Sequence, residues 1–179
     1  MPTIFAHSLI PASLKFALQK ELVSGRLFAL GILASVIPDL DVIAFKFGIP
    51  YGSQWGHRGF THSIFFAFCL AIAASAAAKY FLSGRLTAFV YIFISSVSHP
   101  ILDSFTNGGK GCALYWPFRT ERIFFSWRPI EVSPIGANFF SERGLAVIYS
   151  EICWVGVPVL LMSILVYIIN KIYLRFRRA

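Results

Sequence analysis

The chain has 179 residues, of which 57% are hydrophobic and 13% charged, and its formal net charge is +8. The length suits one compact domain, and the charged fraction falls far below the ~25% of soluble proteins, which excludes a water-soluble globule and makes lipid the expected solvent. The positive charge does not mark a nucleic-acid binder. Basic residues stand at the ends of apolar runs and in loops, with Lys171, Arg175, Arg177 and Arg178 after the last run. That is a positive-inside pattern rather than a basic stripe interleaved with aromatics.

In chain order, residues 3–23 mix apolar positions with Lys15, Lys20 and Glu21 and predict an amphipathic helix packed on a bundle. The segment has no basic region of the signal-peptide kind, since its first Lys is Lys15, and reads as part of the mature chain. The first apolar run, from Leu27 to Ile37, is uncharged; Pro38, Asp39 and Asp41 interrupt it and it resumes to Ile49. It spans a bilayer if those carboxylates face protein or water. A loop over 48–59 leads to a second run from Ser63 to Leu82 and a third from Leu86 to Leu102. Residues 103–143 form a long loop rich in Gly, Pro, Arg and aromatics, and Gly144 to Asn170 is the last span.

The expected fold is all-α: a single domain over 1–179, built as a polytopic transmembrane bundle of about four spans plus the N-terminal amphipathic helix. With the basic tail cytoplasmic, the ends of the first and third spans and the start of the second share the outer face. Trp55, Trp116 and Trp127 fit an interfacial belt. Cys69, Cys112 and Cys153 form neither a CxxC pair nor an even framework, and read as structural thiols.

The four histidines, His7, His57, His62 and His99, fall at the edges of the apolar runs, as do Asp39, Asp41 and Asp103. Ionisable groups at that depth cost several kcal/mol unless paired or bound to a cation, so they default to function. His99 and Asp103 lie one helical turn apart on one face, arranged either to bind a cation or to hydrogen-bond each other. His57 and His62 do not share a helix face, but they converge if His57 is in the loop and His62 in the first turn of the next helix. Thr61 or Ser63 is placed to cap that helix, and Arg58 to hold an anion. Asp39 and Asp41 follow a proline that loosens the helical ladder, which either caps a new helix or turns the acids toward a cavity. His7, alone on its helix, reads equally as a packed residue or a ligand. Three clusters of nitrogen and oxygen donors without thiolate suit Zn²⁺, with Mn²⁺ or Fe²⁺ compatible. No nucleophile elbow and no phosphate-cradling GxxxxGK[ST] is present.

These residues resemble the YdjM-like family of inner-membrane metal-dependent hydrolases. The matching stretches are His7, Pro38-Asp39-Leu40-Asp41, Gly56-His57-Arg58-Gly59-Phe60-Thr61-His62-Ser63, Ser98-His99-Pro100-Ile101-Leu102-Asp103 and Trp116-Pro117-Phe118, in family order over residues 1–120. More distantly, the order His7, Asp39 or Asp41, His62, then His99 with Asp103 is similar to the zinc phospholipase C and P1 nuclease group.

The resemblance implies a bacterial inner-membrane enzyme that hydrolyses a phosphoester, with a lipid or lipid-linked substrate expected from the site's place at the bilayer edge. His7, Asp39, Asp41, His62, His99 and Asp103 would ligate one or two Zn²⁺, with His7 completing a second site. Arg58 would orient the phosphate, and His57 would ligate or move a proton. Proton or cation translocation, and a scaffold with a structural metal, are the other expectations for the same residues. Few spans and no inverted repeat weigh against transport.

Overall fold

Hydroxyl side chains start three of the helices in the computed structural model, which describes residues 1–18, 22–134 and 136–178, without the side chains of residues 136, 137, 175, 177 and 178. Thr3 caps α1 (Ile4–Ala17) by accepting from the Ala6 amide. Ser24 caps α2 (Gly25–Val36) through Leu27, and Ser63 caps α3 (Ile64–Ala76) through Phe66. Each satisfies an amide that the first helical turn leaves without a partner. Beyond α2 the chain tightens into a 3-10 stretch, Ile37–Phe47, with Pro38 at its start and Gly48 at φ 72° ending it. A 3-10 turn, Phe60–His62, precedes α3. Then come α4 (Arg85–Ser104), α5 (Glu142–Glu151), a π-helical turn (Ile152–Gly156) and α6 (Val157–Arg178).

Three helical stretches are long and apolar enough to cross a membrane: Gly25–Phe47, Arg85–Ser104 and Glu142–Leu174. The protein is an all-α membrane bundle, as the composition requires, and the described residues form only two isolated β-bridges, both within the long loop or at its edge. The expected second run over Ser63 to Leu82 passes from the end of α2 back to its start, but only its first part is regular helix. Its helix, α3, has 13 residues, about 20 Å at 1.5 Å per residue, against the ~30 Å of a hydrocarbon core. The chain turns after Ala76 because the segment beyond it is bound to the start of α2: the Ser24 hydroxyl donates to the Phe81 carbonyl, and Arg26 to that of Tyr80 at 3.2 Å.

The expected N-terminal helix packs on the bundle, over a shorter range. α1 ends at Ala17, with Lys20 and Glu21 of the predicted helix outside the described residues. It packs against α2, α4 and α6, with His7 and Pro11 buried. One tie is the Thr3 backbone amide and hydroxyl, both donating to the buried carboxylate of Glu151, next to the π turn of the last span. The basic tail residues Arg175, Arg177 and Arg178 fall on α6, with side chains outside the described set.

Small residues bring α2, α3 and α4 together: Ala34, Ala74, Ala78 and Ala88 are buried with Leu27, Tyr91 and Ile92. In lipid, where apolar contact alone gives helices little reason to associate, such close backbone approach supplies the packing. Gly31 marks a close approach between α2 and α4. A Cβ there would lie 2.4 Å from Cε1 of Tyr91, whose hydroxyl donates to the Pro11 carbonyl at 2.8 Å. Gly31→Leu is therefore expected to cost about 1–3 kcal/mol of overpacking and lower the thermal midpoint of detergent-solubilised protein. Gly25→Ala, where nothing lies within 4 Å of the added carbon, should leave it unchanged; equal midpoints for both variants would contradict this packing.

Candidate metal centre

The site lies where α2 runs into its 3-10 extension, where α3 begins and where α4 ends, so three chain segments meet at one end of the bundle. Asp39 comes from the first, His62 from the second, and His99 and Asp103 from the third. One donor atom from each of these four buried residues lies within 4.8 Å of all the others. His99 Nε2 is 3.1 Å from His62 Nε2 and 3.3 Å from Asp39 Oδ1. Asp103 Oδ2 is 3.3 Å from His62 Nε2 and 3.9 Å from His99 Nε2. His62 Nε2 to Asp39 Oδ1 is 3.6 Å. An ion with four bonds of ~2.0–2.1 Å in tetrahedral array has donor–donor edges of about 3.3 Å, and these distances scatter around that value.

The hydrogen bonds behind the imidazoles determine which nitrogens face inward. His99 Nδ1 lies 2.7 Å from the Ser35 carbonyl, which can only accept, so Nδ1 carries the proton and Nε2 a lone pair. His62 Nδ1 faces Asp41 Oδ2 at 3.2 Å, and the carboxylate imposes the same tautomer. Two lone pairs and two carboxylates thus converge in a space where no side chain of the four is more than 8% exposed. Both oxygens of Asp39 and Oδ1 of Asp103 are buried without a hydrogen-bond partner among the described residues. A shared cation would meet both lone pairs and one oxygen of each carboxylate, so the residues fit a divalent metal. Burial pushes the His62 imidazole down, but Asp103, Asp39 and Asp41 outweigh it and hold it well above its ordinary value. The carboxylates favour positive charge at that nitrogen.

Asp41, expected as a ligand, stands one layer behind. Its Oδ1 accepts from His57 Nδ1 at 2.6 Å, and its Oδ2 from Thr61 Oγ1 at 2.6 Å and the Arg58 amide at 3.1 Å, besides His62. Asp41, His57 and His62 form a second group of neighbouring donors. Its 2.6 Å contact is a hydrogen-bond length, shorter than the edges of a metal polyhedron. Asp41 belongs to that second group, which could itself hold a metal ion, and not to the first four.

Arg58 is also differently engaged. Its Nε lies 3.1 Å from Asp103 Oδ2, its Nη1 donates to the Gly108 carbonyl at 3.0 Å and its Nη2 to Thr106 Oγ1 at 3.2 Å. At 1% exposure the guanidinium faces protein, not solvent. Burial pushes Arg58 down, but Asp103 outweighs it and holds it above its usual value. Arg58 reaches this position from φ 63°, between two glycines packed against backbone. A Cβ on Gly56 would lie 2.2 Å from the Pro50 carbonyl oxygen, and one on Gly59 2.1 Å from that of Gln54. The GHRGFTHS string is a folded loop that aims His57 and Arg58 inward and ends on His62.

His7 is fully buried but belongs to neither group of converging donors. Its ring stacks on that of His99, centroids 3.8 Å apart and planes at 14°, and both nitrogens lack partners among the described residues. Cys112 Sγ lies 4.0 Å from Asp103 Oδ2, and burial, with that carboxylate, pushes the thiol up to about 11, consistent with a structural thiol. The sequence reading did not single out Ser35, whose carbonyl orients His99, Thr106, which receives Arg58, or Arg122, which donates to the carbonyls of His57, Tyr51 and Ser53. Carbonyl contacts leave no mark in side-chain identity, and Arg122 reads as one loop charge among several.

The fold and cluster define a polytopic helical membrane protein with a buried His/Asp site able to hold a metal ion. The chain belongs to the YdjM inner membrane protein family, whose pattern matches residues 1–175. It is 39% identical over 168 residues to Inner membrane protein YbcI of Escherichia coli (strain K12), a match covering 92% of this chain and 97% of that protein. No solved structure matches it.

The geometry separates two kinds of substitution. Asp103→Ala should abolish metal binding, while Asp41→Asn, which removes an orienting carboxylate, should weaken it roughly 10–100-fold. Metal titration of purified protein checks both, and unchanged affinity in Asp41→Asn would refute its orienting role.

Proposed function

We propose that this protein is a membrane-bound metal-dependent hydrolase acting on a phosphoester of a lipid or lipid-linked substrate. The observation that carries the reading is the convergence of Asp39, His62, His99 and Asp103, with the two Nε2 atoms 3.1 Å apart. These four would hold the ion, and two imidazoles with two carboxylates suit Zn²⁺, with Mn²⁺ or Fe²⁺ compatible. Such an ion, when bound, supplies Lewis acidity and lowers the pKa of water, which is the chemistry phosphoester hydrolysis needs.

The remaining roles belong to the chain's own side chains. Asp41 keeps His62 and His57 in the tautomer that carries the proton on Nδ1. Nε2 of His57 is then available to take or give a proton at the edge of the cluster. Arg58 positions Asp103 and balances its charge, a role that replaces phosphate orientation. His7 forms a stacking wall behind His99. The chain order Asp39, His62, His99, Asp103 resembles that of the zinc phospholipase C group, and it is this resemblance that suggests a phosphoester as the bond cleaved. Membership of an inner membrane family and a site at one end of the bundle support a lipid-linked substrate. The positive-inside bias of the tail supports a cytoplasmic C-terminus, with the cluster toward the opposite face.

Closure of the cluster favours a second reading, a structural metal in a non-catalytic scaffold, since structural sites are closed and catalytic ones keep a position open. Detergent-purified protein separates the two. Metal analysis should find bound metal that His99→Ala and Asp103→Ala lose, and the wild type should turn over substrates in a panel of lipid phosphates and phosphodiesters. Full metal occupancy in both variants would end the metal assignment, and bound metal without turnover would leave the scaffold.

A further inference from the structure

The loops after the first span and after α4 enclose a cavity of about 460 Å³, with Gln54, Trp55, Trp116, Thr120 and Arg122 among its lining residues. No residue of the metal cluster lines it. Gly59 and Ala113 contribute to its wall, and the Ala113 amide donates to the Arg58 carbonyl at 3.0 Å, so the backbone that carries Arg58 to Asp103 borders the cavity.

Arg122 is a cation here without a carboxylate partner within ion-pair distance among the described residues. Its Nη1 donates to the His57 carbonyl at 2.7 Å, and its Nη2 to those of Tyr51 and Ser53 at 2.8 and 2.9 Å. A guanidinium has five N–H groups, so two remain. Lys110 adds positive charge nearby, its Nζ 5.7 Å from the centre of the Tyr51 ring. Trp116 Nε1 can only donate, so the Gln54 atom it meets at 3.2 Å is the carbonyl oxygen, and the Gln54 NH₂ stays available as a donor. Trp55 and Trp116, centroids 5.9 Å apart, supply carbon surface with polar edges.

We propose that this cavity binds a polyol phosphate, the chemistry shared by hydroxylated phospholipid headgroups and free sugar or glycerol phosphates. The phosphate sits on Arg122, the hydroxyls meet Gln54 and Thr120, and the C–H skeleton lies against the two indoles. The volume falls within the ~300–1,000 Å³ of small-molecule sites, and an acyl chain is disfavoured because it would bury an unpaired guanidinium. The site goes beyond the hydrolase reading and does not depend on it, since its binding needs no metal.

The test titrates full-length protein in detergent with glucose 1-phosphate, short-chain phosphatidylglycerol and short-chain phosphatidylcholine, reading intrinsic tryptophan fluorescence. Saturable binding of glucose 1-phosphate and phosphatidylglycerol assigns the shared polyol phosphate, and binding of phosphatidylglycerol alone assigns a lipid headgroup. Either should persist in His99→Ala and weaken roughly tenfold in Arg122→Gln. Because Arg122 also ties the loop, Gln54→Ala with Thr120→Ala serves as the second variant, with a several-fold loss expected. Response to neither phosphate probe, equal response to phosphatidylcholine and phosphatidylglycerol, wild-type affinity in both variants, or loss of binding in His99→Ala would each overturn the assignment.

Discussion

Everything at the head of this bundle answers to one constraint. Two imidazole lone pairs sit 3.1 Å apart, closed off from water, between two carboxylates that lack sufficient donors of their own. Such an arrangement is costly unless positive charge sits at its centre. The Ser35 carbonyl and Asp41 keep that demand unrelieved by anchoring both Nδ1 protons, which prevents either ring from turning its N–H inward. A cluster so arranged could hold a cation, and a proton on His62 is the competitor the same carboxylates also favour.

The surrounding architecture serves that centre. α4 brings His99 and Asp103 on one face, and Ala34, Ala74 and Ala88 let α2 and α3 approach α4 closely enough for Asp39 and His62 to meet them. The glycine-bounded loop turns Arg58 back beneath Asp103, where it offsets a buried negative charge. α1 closes the site from another side, laying His7 on the His99 ring. Glu151 of the last span grips Thr3 at the head of that helix. The C-terminal span, poor in polar residues, is thereby tied to α1 through a buried carboxylate as well as through direct packing.

The polar head is asymmetric. The cluster is enclosed, whereas the Arg122 cavity is open, lined by loops and flanked by tryptophans of the kind that settle at a membrane–water boundary. The buried His/Asp cluster and the polar recess are thus separate features of the same end of the molecule.

Much of this was legible in the residues themselves. Apolar runs of spanning length, broken by a few imidazoles and carboxylates, dictate a helical membrane protein with polar chemistry at the run ends, because lipid tolerates such groups only when they are satisfied. The one-turn spacing of His99 and Asp103 placed both on a single face without reference to any neighbour. What tertiary structure alone decided was the division of labour. Asp39 and Asp41 are two residues apart and chemically alike, yet one faces the cluster and the other its support, because Thr61, His57 and the Arg58 amide converge on Asp41 from a loop distant in sequence. Arg58 faces inward because Thr106 and Gly108 receive it. The early end of α3 likewise depends on Ser24 binding the turn beyond it. Periodicity reports which face of a segment is greasy, but which partner satisfies a given polar atom is settled only when distant segments come into contact.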